Sequence, residues 1–138
     1  MVDKPKLDEL LARLRGFVAA LHRLGRLPRE DFLADPDKLG SAKYHFVIAI
    51  ECCIDIANHV IASEGYRIPA DNADTFVVLA EEGIVDEVQR ESLRAMARFR
   101  NRLVHLYQEV DDDAVRDYLE SSLGDFDAFA LAIAGQPW

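Results

Sequence analysis

Long apolar runs, strand signals, paired cysteines and positive charge are all in short supply in this 138-residue chain, and each shortage excludes something. No apolar run approaches the roughly 20 residues that cross a bilayer. The opening stretch MVDKPKLDEL has no apolar core of a signal peptide. A soluble, cytoplasmic protein without a membrane partner is therefore expected. The two cysteines are the neighbours Cys52 and Cys53, set in an apolar run. Adjacent helical residues rarely form a disulfide, so both read as core. There is no sustained period-two alternation and no Asn-Gly or Asp-Gly hairpin turn, which leaves little room for a sheet. With 16 basic residues against 25 acidic ones, the net charge of −9 excludes a protein that coats nucleic acid through a general basic surface. The few prolines and glycines form no linker, so one domain is expected over residues 1–138.

What the chain does have is helical spacing. A first helix is expected over about Pro5–Leu24, with Leu7, Leu10, Leu11, Leu14, Phe17, Val18 and Leu21 on one face and Gly25 stopping it. A short piece, about Arg29–Ala34, is cut off by Asp35-Pro36. The third segment, about Ser41–Glu64, is apolar almost all round and should be buried on most sides. Its polar exceptions, Tyr44, Glu51, Asp55, Asn58 and His59, form one line. A brief helix over about Asp74–Glu82 precedes a capping box, Asp86 with Gln89, that opens a helix over about Glu87–Leu106. Asp111 to Asp113 cap a last helix that ends near Gly135. Four substantial helices on short connections predict an all-α fold, an antiparallel four-helix bundle with one or two short extra helices.

Charge is unevenly spread. Residues 90–107 hold five arginines and one acid, a local balance of +4, which leaves −13 on the rest. On a wheel at about 100° per residue, Leu93, Met96, Ala97, Leu103, Val104 and Tyr107 lie within about 60° of Arg100. Tyr107 is thus placed on the apolar arc, by default as a core aromatic. Arg90, Arg94, Arg98 and Arg102 recur every four residues on the opposite face and read as solvated, with Asn101 and His105 along that basic edge. Arg100 alone points where the bundle packs. A guanidinium stays charged, so burying it without a partner costs several kcal/mol. Two compatible settings answer this. One is an ion pair with Glu51 or Asp55. The other is a crevice at an interface between subunits, because the apolar arc covers about half the wheel.

The run Arg100-Asn101-x-x-x-His105-x-Tyr107 matches the Arg-x(4–6)-His signature of HEPN domains and, in its fuller form, resembles the HepT-like toxin family. The similarity extends through "AIECCIDIANHVIA", "DTFVVLAEEGIV", "MARFRNRLVHLY" and "EVDDDAV". The resemblance implies an all-helical homodimer whose two motif helices form one positively charged cleft. It implies a metal-independent endoribonuclease with Arg100 and His105 as catalytic residues and no cofactor. Asn101, Tyr107, Arg98 and Arg102 would support substrate binding; the acid that the helical geometry sets against Arg100, Glu51 or Asp55, is the candidate to orient it. It further implies the toxin half of a toxin–antitoxin pair, silenced when a small nucleotidyltransferase antitoxin transfers AMP to the motif tyrosine, here Tyr107. The chemistry suits the residues. RNA carries its own 2′-OH nucleophile, imidazole moves protons at neutral pH, and arginine grips phosphate through two donors.

Two other readings stay open at this level. One is a HEPN module that binds a nucleotide or a nucleotidyltransferase and cleaves nothing. The other is a metal-binding bundle using Asp55 and His59 with His22, His45 or Glu51, although the paired Glu-x-x-His motifs of di-iron bundles are absent.

Overall fold

The computed structural model describes all 138 residues. Every regular element is helical: α1 (Lys4–Gly25), α2 (Arg29–Leu33), α3 (Pro36–Glu64), α4 (Asn72–Glu81), α5 (Glu87–His105), a 3₁₀ turn (Tyr107–Glu109), α6 (Asp112–Ser121) and α7 (Leu123–Ala134). The all-α expectation holds. Four long layers are formed by α1, α3, α5 and the α6–α7 pair.

Local chemistry sets the helix limits, and three differ from the sequence reading. Asp35 does not merely end α2. Its carboxylate accepts from the Asp37 and Lys38 N–H groups, and Pro36 takes the first helical position, where a missing N–H costs nothing. The third helix therefore begins five residues earlier than expected and runs to Gly65, whose φ of 70° closes it in the left-handed region. Asp71 caps α4 through the Asp74 N–H, which moves that start back to Asn72. The single last helix is in fact two, because the chain bends at Ser122. The capping box of Asp86 and Gln89 opens α5 as expected.

Neighbouring layers run antiparallel. Cys52 on α3 donates to the Leu10 carbonyl on α1, while the far end of α1 lies beside Lys38 and Ser41. Against α5 and the turn that follows it, Lys43 meets Tyr107, Phe46 meets Phe99 and Glu51 meets Arg100. Thirty-eight buried side chains form one continuous apolar core. Full burial of each large member stabilises by roughly 1.5–3 kcal/mol. The 29-residue α3 is long and apolar enough by composition to span a membrane, unlike the sequence expectation, yet 56% of its most apolar window is buried inside the protein.

An aromatic knot then fixes the rotation of α5. Phe99 is 1% exposed, stacks on Tyr118 of α6 at 4.0 Å and 7°, and meets Phe46 of α3 edge-on at 5.4 Å. With Phe99 locked inward, the next residue, Arg100, is turned towards α3.

Candidate active site

Arg100 leaves α5 on its α3-facing side with a side chain 20% exposed. Nη2 and Nε both donate to Oε1 of Glu51, at 2.8 and 3.2 Å, and Nη1 donates to Oδ1 of Asn101 at 3.0 Å. Of the two acids expected to meet Arg100, Glu51 does so. Asp55, one turn further along α3, is exposed and makes no ion pair with it. Burial, then the charge of Glu51, pushes the Asp55 carboxyl above the usual carboxylate range. The pair does not exhaust the arginine. A guanidinium has five N–H groups, and three are engaged, so one remains on each terminal nitrogen. Those are the donors that a bidentate grip on phosphate uses.

Asn101 holds Arg100 rather than the imidazole of His105. Its carbonyl is occupied and its amide N–H groups are free. His105 is the last residue of α5, exposed and without a hydrogen-bond partner in the chain. Arg98 and Arg102 are exposed and unpaired. Arg90 and Arg94, expected to be solvated, are instead partly covered, at 31% side-chain exposure, and tied to Glu87 and Glu91.

The wheel placed Tyr107 in the core, and the structure corrects this. The helix stops at His105, Leu106 leaves helical geometry (φ −128°, ψ 36°), and Tyr107 opens the 3₁₀ turn with 48% exposure. No glycine or proline marks that stop. Val110, 4% exposed, and the Asp111 cap of α6 draw the chain away instead.

Sequence reasoning missed the group that holds the tyrosine. Lys43 is 7% exposed, and its ammonium lies 4.5 Å from the Tyr107 ring centroid and 3.4 Å from Asp112 Oδ1. A Cβ at Gly40 would come within 3.8 Å of the Tyr107 hydroxyl, so that phenol lies along the opening turns of α3. No local pattern flags Lys43, since its partner is 64 residues away. His22, His45, Glu51, Asp55 and His59 do not gather into any group of three or more side chains able to hold a metal.

Tyr44 (60% exposed), Val104 (44%) and Leu106 (47%) leave apolar surface open around the motif. The assembled arrangement is an oriented arginine with spare donors, a free imidazole, a half-exposed phenol and an apolar rim. Such a set can bind a phosphodiester and move a proton beside it.

The chain is similar to known proteins in sequence and in fold. The mRNA nuclease HepT of Shewanella oneidensis is 37% identical over 86 residues, or 62% of this chain, and the chain spans 65% of that relative's length. A tri-AMPylated HEPN toxin of Shewanella oneidensis, in complex with its MNT antitoxin, superposes with a TM-score of 0.89 at 26% identity, covering 99% of this chain and 100% of that one. A toxin–antitoxin complex with AMP-PNP gives a TM-score of 0.88 at 25% identity over 94% of this chain and 98% of that one. The model of the family described as Ribonuclease HepT-like matches residues 7–133, and the chain belongs to that family.

Proposed function

We propose that this protein is the toxin of a toxin–antitoxin pair, an endoribonuclease that cuts RNA in a gap shared by two copies of the chain. The supporting observation is the state of Arg100: oriented by Glu51 and Asn101, yet with two N–H groups to spare, on the same helix as a free His105. The exposed apolar side chains of Tyr44, Val104 and Leu106 supply a rim that a second copy would cover. Two α5 helices brought together concentrate positive charge, which reconciles RNA binding with an acidic body.

In that gap the substrate's 2′-OH attacks the adjacent phosphorus. Its proton passes to the imidazole of one His105. The bond from phosphorus to the 5′-oxygen breaks, and the other subunit's imidazolium protonates the leaving oxygen. Arg100 neutralises the charge that builds on the non-bridging oxygens. The products are a 2′,3′-cyclic phosphate and a 5′-hydroxyl. RNA supplies the nucleophile, so no step calls for a metal or cofactor. Arg98 and Arg102, exposed and unpaired, bind flanking phosphates, and the protein works in the cytoplasm.

Regulation falls to Tyr107. A nucleotidyltransferase antitoxin would join the phenol oxygen to the α-phosphorus of ATP, releasing pyrophosphate and passing the phenol proton to a base. The added phosphate and adenosine would obstruct the gap and place negative charge where the substrate's phosphate must sit. AMP on the related toxin in its antitoxin complex supports this reading.

The test is purified protein on single-stranded RNA in the presence of a chelator, beside Arg100→Ala. Cleavage by the wild type, lost in a variant of unchanged helicity, is the expected result. Equal cleavage by both proteins contradicts the assignment, and a variant that loses its helicity would make Arg100 a structural residue.

A further inference from the structure

Beside the motif, α5 and the start of α4 enclose a cleft of about 520 Å³, with Arg94, Arg98 and Asn101 on one wall and Asp71, Asn72 and Val77 on the other. Residues 94, 98, 101 and 105 follow steps of four, three and four, so they line one helical face. The α5 wall of the cleft therefore leads straight to His105. At about 1.5 Å per residue, neighbours in this stripe stand about 4.5–6 Å apart along the axis, the scale of one nucleotide step in an extended strand.

The two walls differ in charge. On α5, Arg98 is exposed and free of carboxylates, while Arg94 is tied to Glu91 at 3.1 Å. Asn101 spends its carbonyl on Arg100 and keeps its amide N–H groups. On the α4 side, Asp74 is neutralised by two hydrogen bonds from Arg67, at 2.8 and 2.9 Å. Asp71 Oδ1 accepts from the Asp74 N–H at 2.8 Å, and its second oxygen has no partner. A free carboxylate oxygen repels a phosphate but accepts from an amino group on a base edge. The phosphate thus belongs against Arg98, and the base against α4.

We infer that this cleft is a base-binding subsite for single-stranded RNA. The strand runs along α5 from the gap at Arg100 and His105, and the nucleotide next to the scissile phosphate inserts its base between α4 and α5. Arg98 and Asn101 hold its phosphate, while Asp71 and Asn72 read its edge. Adenine, cytosine and guanine offer Asp71 an exocyclic amine, whereas uracil has none and is disfavoured. The inference rests on the ribonuclease reading given above.

Two substitutions test it without touching Arg100 or His105. Asp71→Asn keeps the start of α4, because asparagine caps a helix about as well as aspartate. Ala73 on α4 also lines the cleft, and Ala73→Phe fills it from that side. Labelled oligonucleotides differing by cytosine or uracil at the neighbouring position serve as substrates, with helicity checked for each protein. The wild type should favour cytosine by roughly tenfold in kcat/KM, within the range of one good base-edge contact. Asp71→Asn should lose that preference, and Ala73→Phe should raise KM roughly tenfold at unchanged kcat. Variants that keep the wild-type KM and base preference overturn the subsite and leave the nuclease reading intact. A wild type that leaves all RNA uncut overturns the nuclease reading instead. Fluorescence anisotropy with the same oligonucleotides then decides the cleft: weaker binding by Ala73→Phe supports it, and equal binding overturns it.

Discussion

Arg100 and Glu51 meet through two donors on a single oxygen, with Nη2 at 2.8 Å and Nε at 3.2 Å from Oε1. A carboxylate used this way orients the guanidinium without consuming it. Its own exposure of 41% keeps the pair in contact with water, which limits what the contact adds to stability. Orientation is the larger consequence, because a phosphate gripped by a wandering arginine is held in no single geometry.

Removing that hold should therefore damage catalysis more than folding. Glu51→Ala is expected to lower kcat for RNA cleavage about tenfold, close to the roughly 1.5 kcal/mol of a hydrogen bond to a charged group. Glu51→Gln keeps an acceptor and should recover most of that rate. Steady-state kinetics on one oligonucleotide, alongside thermal melts, separates the two effects. Equal rates for all three proteins would remove Glu51 from the site.

The tyrosine makes a second, independent test. Tyr107→Phe keeps the ring over Lys43 and should alter stability by less than about 0.5 kcal/mol. Incubated with ATP and an MNT antitoxin, the wild type should gain AMP at position 107 by peptide mass analysis, and the variant should not. Lys43→Met removes the cation against the ring and leaves Asp112 without its partner, so modification should slow while Tyr107 remains present. A Tyr107→Phe protein that is still silenced by the antitoxin would exclude this residue as the switch.

Acid stability should depend on Asp74. Hydrogen bonds from Arg67, then from the Ala70 N–H, hold its carboxyl at about 2, against 3.8 when unperturbed. A carboxyl depressed on folding contributes stability above its unfolded value, which is lost as pH falls towards the folded one. Melting temperature should accordingly drop between about pH 4 and pH 2, and Asp74→Asn should flatten that limb while lowering stability at pH 7. Identical pH profiles for the two proteins would contradict the pairing.

The cysteines should be inert in the folded protein. Burial, then the charge of Asp55, pushes the Cys52 thiol up to about 11, and burial also raises the Cys53 thiol well above its ordinary value. Thiolate is the reactive form, so thiol reagents at pH 8 should label neither residue until denaturant is added. Rapid labelling in native buffer would mean that α3 opens there.

Much of this architecture is written in local signals. Asp86 with Gln89 opens α5 as the pattern demands, and the apolar periodicity finds all four layers. Misplaced ends have physical causes that a one-dimensional pattern does not carry. The Asp35-Pro36 pair reads equally well as a stop and as a cap followed by a first-turn proline, and the structure uses it as the second. The close of α5 at His105 depends on Val110 finding the core, so the helical wheel ran two residues too far and buried Tyr107. Arg100 was legible because a lone charge on an apolar face demands a partner. The contact between Lys43 and Tyr107 and the wall of α4 facing Arg98 were not, since each joins segments whose proximity exists only after folding.

The most direct test of the proposed gap between Arg100 and His105 of two copies is the chemistry of the RNA ends. Single-stranded RNA incubated with the purified protein and a chelator should yield fragments ending in 2′,3′-cyclic phosphate and beginning with 5′-hydroxyl, and His105→Ala should yield none. Intact RNA with the wild type, or the same fragments from the His105→Ala protein, would contradict the site at its centre.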